Sequence, residues 1–240
     1  MSNNVRTKLE LLENGPSMLR KQSKRRKRLK KAEQEQKPKV SIVEEIEEVP
    51  IEEQNIIFRP NEGPQTEFLA APEREVLYGG SAGGGKSYAM LADPLRYMGH
   101  PSFSGLLLRH TTEELRELIF KSKEIYPQIW KGIKWSERKM QWEAPSGARL
   151  WMSYLDRDDD VLRYQGLAFS WIGFDELTQW STPYAWNYMR SRLRSTAPDL
   201  PVYMRATTNP GGPGHQWVKK MFIDPAPYGK TFDATNIETG

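Results

Sequence analysis

One stretch decides the fold: Val76-Leu77-Tyr78-Gly79-Gly80-Ser81-Ala82-Gly83-Gly84-Gly85-Lys86-Ser87. Its apolar start predicts a buried strand, its glycines predict a loop, and Lys86 begins a predicted helix. Residues 80–87 fit the pattern G-x-x-x-x-G-K-[ST], in which backbone N–H groups and the positive end of a helix dipole surround a polyphosphate. We therefore predict that these eight residues bind a nucleotide, with Lys86 at the β- and γ-phosphates and Ser87 on Mg²⁺.

The composition limits the class of protein. The chain has 240 residues and 38% hydrophobic content, which suits one large domain plus a tail. It has no apolar run of eighteen residues, no apolar leader at its N-terminus and no cysteine, and its three histidines are scattered. We therefore expect a soluble cytoplasmic protein without a membrane span, a disulfide or a thiolate metal site.

The charge is unevenly distributed. Residues 20–39 carry eleven Lys or Arg against two Glu, and residues 44–53 carry six Glu. From Gln54 onward 22 basic residues face 21 acidic ones, so the basic character belongs to the tail. We predict a disordered charged arm over residues 1–53 and a compact domain over residues 54–240. The arm either docks on nucleic acid or a partner, or is a solvated tail whose opposite charges attract each other.

A second strand and helix follow the loop. Residues 104–109 predict a buried strand, and Thr111 with Glu114 predicts a capping box at the start of a helix. This alternation is typical of an α/β domain with a parallel sheet. Arg109 ends the strand at the edge where ligands bind, so it contacts phosphate, couples subunits or forms a surface ion pair. Residues 133–154 predict a small antiparallel insertion of three strands whose tryptophans share one buried face.

A pair of carboxylates ends the next apolar strand, at Asp175 and Glu176, 88 residues after Ser87. Asp175 is predicted to hold Mg²⁺ through water, and Glu176 is predicted to orient or deprotonate the water that attacks the γ-phosphate. A carboxylate fixed beside the phosphates benefits a hydrolase, whereas a phosphotransferase must exclude water. The pair therefore favours ATP hydrolysis over kinase chemistry.

A further predicted strand over residues 202–208 ends in Thr207 and Thr208 and is followed directly by Asn209. Their hydroxyl and amide groups can sense the γ-phosphate through hydrogen bonds, and the Pro/Gly-rich loop after them can move as a unit. The other interpretation of this loop is a turn-rich connection. Gln65, in a short helix before the phosphate loop, either reads the adenine edge with its amide or is an exposed polar residue.

Over roughly residues 58–240 the chain resembles the ATPase domain of large terminase subunits, which package DNA into the proheads of tailed bacteriophages. The resemblance rests on residues 80–87, on Tyr164-Gln165-Gly166 before Ile172-Gly173-Phe174-Asp175-Glu176, and on Thr207-Thr208-Asn209-Pro210-Gly211-Gly212, which is similar to the family's coupling motif. It implies a RecA-like P-loop NTPase fold of the additional-strand, catalytic-glutamate type. It also implies a Mg²⁺-dependent ATPase that drives double-stranded DNA translocation.

The resemblance further implies individual roles and partners. Gln65 would contact adenine, Arg163 would act in trans as an arginine finger, and Thr208 and Asn209 would relay hydrolysis to movement. The partners would be double-stranded DNA, the portal of the prohead, the small terminase subunit and four more copies in a ring, in the cytoplasm of the infected bacterial host. The family's C-terminal nuclease is not expected within this chain.

Two other classes share these motifs. A helicase or remodelling ATPase acting on nucleic acid would use the same nucleotide site. A nucleotide-gated module would bind DNA or a partner through the basic arm without needing turnover. Within the terminase interpretation, Arg163 and Arg109 both stand as arginine-finger candidates, and the basic arm docks on the small terminase subunit or on DNA.

Overall fold

The computed structural model describes residues 56–80 and 83–233. The strands are β1 (Glu75–Gly79), β2 (Ser104–Arg109), β3 (Lys134–Ser136), β4 (Gln141–Glu143), β5 (Arg149–Tyr154), β6 (Trp171–Phe174) and β7 (Tyr203–Thr208). The α-helices are α1 (Pro64–Ala70), α2 (Lys86–Ala92), α3 (Thr112–Ile129), α4 (Tyr184–Arg190) and α5 (His215–Phe222). Short 3₁₀ helices cover Asp93–Tyr97, Asp158–Tyr164 and Leu177–Gln179. The predicted arm over residues 1–53 lies outside the described residues, so its disorder stays a prediction.

The seven strands form one sheet in the order β1-β7-β6-β2-β5-β4-β3. The first five strands of this order, β1-β7-β6-β2-β5, pair in parallel, and β4 and β3 add an antiparallel edge. Strand β7 therefore lies between the strand that leads into the phosphate loop and the strand that ends in the carboxylate pair. All six residues of β7 are buried. The carboxyl ends of β1, β7, β6 and β2 meet at one edge of the sheet.

The predicted antiparallel pairing of the insertion is confirmed, but one of its strands also belongs to the parallel part of the sheet. Strands β3, β4 and β5 pair antiparallel, but β5 also pairs in parallel with the whole of β2. The prediction of one buried tryptophan face is wrong, because side chains alternate along β5. Trp135 and Trp142 pack in the core on one side of the sheet, whereas Trp151 packs against the core on the other side.

Each face of the sheet has its own hydrophobic core, as expected for a parallel sheet covered on both faces. In β2, Leu107 packs under α2 and α3, while Leu106 and Leu108 pack on the face covered by α4 and α5. A Cβ at Gly173 would lie 2.3 Å from the Trp171 ring and 2.8 Å from Met90 Sδ. Glycine at this position therefore lets α2 approach β6, which brings the phosphate loop towards the carboxylate pair.

The capping box predicted for α3 is confirmed. The Glu114 N–H donates to Thr111 Oγ1 at 3.3 Å, and the Thr111 N–H donates back to Glu114 Oε2 at 3.3 Å. These two bonds satisfy two amides that a helix start would otherwise leave unpaired. The helix therefore begins at Thr112, shortly after β2, whose last residue, Arg109, lies at the carboxyl edge of the sheet.

Arg205, in β7, ties that strand to the segment before β1. Its guanidinium is 3% exposed and donates to the carbonyl oxygens of Ala71 at 2.6 Å and Glu73 at 2.9 Å. Asp93, at the end of α2, approaches the same guanidinium at 4.0 Å and accepts a hydrogen bond from Trp171 Nε1 at 2.8 Å. These bonds hold β7, β6 and α2 together beneath the site.

No helix within residues 56–80 and 83–233 combines the length and apolar character needed to cross a membrane.

Candidate functional site

The described part of the phosphate loop closes around its own lysine. Three of its glycines, Gly80, Gly83 and Gly85, have φ angles of 140°, 86° and 72°, which other residues rarely adopt. Lys86 is 6% exposed, and its Nζ donates to the Gly80 carbonyl oxygen at 3.0 Å. Tyr78 donates its hydroxyl to the Gly84 carbonyl at 2.6 Å. Ser81 and Ala82, also predicted to bind nucleotide, lie outside the described residues.

Gln65 supports the loop from α1. Its side chain is 3% exposed, so the interpretation of an exposed polar residue is wrong. Nε2 donates to the Gly85 carbonyl at 2.8 Å, and Oε1 accepts from the Asn61 N–H at 2.6 Å. The amide keeps a second N–H and a second acceptor lone pair, so its predicted contact with adenine stays a prediction.

Asp175 is the most buried charged group of the site, with no exposed surface. Ser87 Oγ donates to its Oδ2 at 3.5 Å, and Arg109 Nε lies 3.2 Å from the same oxygen. Thr207 donates its hydroxyl to the other carboxylate oxygen, Oδ1. The two predicted metal residues, Ser87 and Asp175, are therefore in contact although 88 positions separate them.

The oxygens of Ser87 and Asp175 suit Mg²⁺, which prefers oxygen ligands and keeps several waters or substrate oxygens in its shell. In the part of the chain that the structure describes, no three His, Cys, Asp or Glu side chains form a metal cluster. A phosphate-loop cation does not need one, because the nucleotide supplies further oxygens. The donors present therefore fit a Mg²⁺ ion bound together with nucleotide.

Glu176 has a left-handed backbone, with a φ angle of 61°. Asn209 holds its carboxylate at both oxygens: the backbone N–H donates to Oε2 at 3.0 Å and Nδ2 donates to Oε1 at 2.7 Å. Burial raises the pKa of Glu176, and the nearby Asp175 charge adds to the rise. The Asn209 N–H, Arg109 and Lys86 act in the opposite direction.

The predicted coupling residues contact the acidic strand end. Thr207 accepts a hydrogen bond from the Glu176 N–H at 3.1 Å while donating to Asp175, so one hydroxyl joins the two carboxylate residues. Thr208 Oγ1 lies 2.7 Å from Thr178 Oγ1, two residues beyond Glu176. The carboxyl end of β7 is therefore bonded to both the Mg²⁺ candidate and the base candidate.

An open cleft of about 290 Å³ lies beside these groups. It is lined by Arg109, Glu114, Glu176, Thr178, Gln179, Asn209, Pro210, Gly211 and Gly212. Sequence reasoning missed three of these, Glu114, Thr178 and Gln179, and assigned Glu114 only to its capping box. The sequence gives one indication that Thr178 and Gln179 belong to the site, which is their place close after the carboxylate pair.

Arg163 lies apart from the carboxylate pair of its own chain. Its side chain is 46% exposed, and its hydrogen bonds within the described residues go to the carbonyls of Tyr154 at 2.5 Å and Asp160 at 3.1 Å. The guanidinium also stacks over the Tyr154 ring at 5.4 Å. It does not line the cleft, in contrast to Arg109. Its predicted action in trans stays a prediction.

Comparison with solved structures identifies the fold. The large terminase of a thermophilic bacteriophage matches with a TM-score of 0.54 at 19% identity, covering 69% of this chain and 43% of that one. The complex of that terminase with ADP matches with a TM-score of 0.52 at 20% identity, covering 67% and 41%. The large terminase of bacteriophage HK97 matches with a TM-score of 0.52 at 11% identity, covering 71% and 38%. These matches confirm the predicted RecA-like P-loop fold.

The chain spans about two fifths of the length of these terminases. No curated protein sequence matches it. The family model of the phage terminase large subunit matches residues 73–239, which include the phosphate loop, the carboxylate pair and the coupling residues. On this match the chain belongs to the phage terminase large subunit family.

Proposed function

We propose that the chain is the Mg²⁺-dependent ATPase of a motor that moves double-stranded DNA into a viral prohead. The observation that carries the proposal is the position of Glu176: its carboxylate borders an open cleft, next to a buried Asp175 that contacts the phosphate-loop Ser87. A base at this place can act on a water that approaches the terminal phosphate. The solved ADP complex of the thermophilic phage terminase supports nucleotide as the ligand.

In the proposed reaction each residue has one task. Lys86 and the backbone amides of the loop bind the phosphates, and Gln65 contacts the adenine. Ser87 and Asp175 would hold Mg²⁺, which when bound would supply positive charge to the phosphate oxygens. Glu176 orients the attacking water and accepts its proton, and its raised pKa brings its basicity closer to that of a neutral-pH base.

Coupling to movement is proposed to run through the end of β7. Thr207 and Asn209 bond the carboxylate pair directly, and Thr208 bonds the segment that follows it. The chain after Asn209 contains Gly211 and Gly212 at φ angles of 94° and 84°. A change in the hydrogen bonds of Glu176 on hydrolysis would therefore be transmitted to a loop that borders the cleft.

The partners are proposals of the same kind. We infer a homopentameric ring on the portal of the prohead, fed with DNA by the small terminase subunit, in the cytoplasm of the infected bacterial host. The nearly neutral charge of residues 54–240 means that DNA contact depends on local patches or on the basic segment 20–39.

Packaging is the direct test of this function. Portal-bearing proheads, linear double-stranded DNA and the chain are mixed with ATP and Mg²⁺, and nuclease-protected DNA is measured. Protection is expected with ATP and absent with ADP. A result in which the chain separates the strands of a duplex and protects no DNA would select the helicase class. Unchanged binding to DNA with no turnover would select the nucleotide-gated module.

Arg163 provides a test of the ring. Arg163→Ala and Lys86→Ala subunits are each expected to be inactive alone, but a mixture should regain ATPase activity. In a randomly mixed ring roughly a quarter of the interfaces would join an intact phosphate loop to an intact Arg163. Phosphate release is measured after sedimentation has verified mixed rings. Verified mixed rings without any recovered activity would remove Arg163 from the trans role.

A further inference from the structure

We propose that Arg109 is a cis-acting sensor of the terminal phosphate, a residue that distinguishes a bound nucleoside triphosphate from a diphosphate. The proposal rests on the proposed ATPase function and assigns a further residue to the same site. It concerns the subunit that binds the nucleotide, and it is independent of any arginine contributed by a neighbouring copy.

The first observation is an incompletely bonded guanidinium. Arg109 is 8% exposed, and its Nε lies 3.2 Å from Asp175 Oδ2. This pair is close enough for an ion pair, but the atoms are not aligned for a hydrogen bond. Within the described residues, Nε and Nη1 are buried and have no hydrogen-bond partner. A buried charged donor without an acceptor is costly, so the side chain is suited to an acceptor that arrives with a ligand.

A second buried arginine, Arg205, provides a comparison, because its hydrogen bonds stabilise the fold. Arg205 is also buried, at 3% exposed, and both its Nη groups donate to the carbonyl oxygens of Ala71, Glu73 and Met204, which leaves Nε as its one buried donor without a hydrogen-bond partner among the described residues, against two such donors in Arg109. Those acceptors belong to the protein, and no cleft residue is among them. Arg109 instead lines the open cleft. The difference indicates that Arg109 is held for an acceptor outside the chain.

The place of that acceptor follows from Asp175. One carboxylate oxygen, Oδ2, is 3.5 Å from Ser87 Oγ on the phosphate-loop side and 3.2 Å from Arg109 Nε on the cleft side. Arg109 thus contacts Asp175, one of the two residues proposed to hold Mg²⁺, and is separated from the other, Ser87, by that carboxylate. A nucleotide bound in the loop as proposed would extend its terminal phosphate towards the cleft.

Among the charged residues that line the cleft, one is suited to bind an anion. The cleft carries the carboxylates of Glu114 and Glu176, and Arg109 is its one lining cation among the described residues. Within residues 80–87 the sequence offers one cationic side chain, Lys86. A guanidinium offers five donors in a planar fork that matches phosphate oxygens, and Asp175 engages only one side of it. Arg109 can therefore add a second cationic side chain, besides Lys86, to the contacts of the phosphates.

The test compares two nucleotides on three proteins. Affinities for ADP and for the slowly hydrolysed analogue ATPγS are measured by calorimetry in Mg²⁺ for the wild type, Arg109→Gln and Lys86→Ala. Arg109→Gln is expected to lose about tenfold or more in ATPγS affinity and less than about twofold in ADP affinity. Equal losses for both nucleotides would show that Arg109 only balances Asp175, and no loss for either would also overturn the proposal.

Two controls keep the outcomes separate. Arg109→Lys retains a charge beside Asp175 if the Gln variant fails to fold, and it is expected to show a smaller loss confined to ATPγS. A loss shared by ADP in that variant would overturn the sensor role. A failure of the proposed function itself would appear elsewhere: the wild type would bind neither nucleotide, or Lys86→Ala would bind both as tightly as the wild type does.

Discussion

Lys86→Ala is expected to abolish steady-state ATP hydrolysis, with a loss of at least about 100-fold. The Lys86 ammonium is buried inside the loop, where its present partner is a loop carbonyl and where a phosphate would be a far stronger acceptor. Removing it takes away the loop's one cationic side chain and leaves the phosphate charge unbalanced. Phosphate release at saturating ATP measures the effect.

The matched control for this variant is Lys219→Ala. Lys219 is an exposed lysine of α5 that pairs with Asp224 at 2.8 Å, far along the chain from the loop. A surface pair of this kind contributes little, so hydrolysis should stay within about twofold of the wild type. Comparable rates in Lys86→Ala and Lys219→Ala would rule out the phosphate-loop assignment.

Glu176→Gln should stop turnover while leaving nucleotide binding intact. Glutamine has the same shape and can keep one of the two contacts with Asn209, but it cannot accept a proton. The expected decrease in hydrolysis is about 100- to 10,000-fold, the range of a lost general base. ATP affinity by calorimetry should change little. A wild-type rate of ATP hydrolysis in this variant would contradict the assignment of Glu176 as the base.

Glu114→Gln is the matched control, because Glu114 is the other carboxylate of the cleft and is occupied by its capping box. Its hydrolysis rate should stay close to that of the wild type. The pH profile adds a second readout. Because burial raises the pKa of Glu176, the active ionised form is lost at a higher pH than for an ordinary glutamate as the solution is acidified. The residual activity of Glu176→Gln should lack this acid limb.

Local sequence patterns predicted the elements of the site. The glycine loop with Lys86, the strand that ends at Asp175 and the Thr111 capping box all depend on residues close together in the chain. Each constrains a backbone conformation directly: glycine tolerates positive φ, alternating or continuous apolar residues form strands, and a threonine oxygen caps a helix. These predictions therefore needed no knowledge of the tertiary structure.

The partners of the site residues could not be predicted in the same way. The contact of Thr207 with Asp175 exists because β7 is placed beside β6, and the ion pair of Arg109 exists because β2 is on the other side of β6. Strand order depends on long-range packing, which the local pattern does not contain. For the same reason β5 could be recognised as a strand but not as a parallel neighbour of β2.

The left-handed backbone of Glu176 has a consequence for the evolution of the protein. Glycine occupies such a conformation without strain, whereas a residue with a Cβ costs about 1–2 kcal/mol there. A change to glycine at this turn would relax the backbone but would remove the base and its two hydrogen bonds with Asn209. Glu176 thus occupies a backbone conformation that favours glycine, so a glutamate at this turn in related sequences would indicate selection for turnover more than for an unstrained backbone.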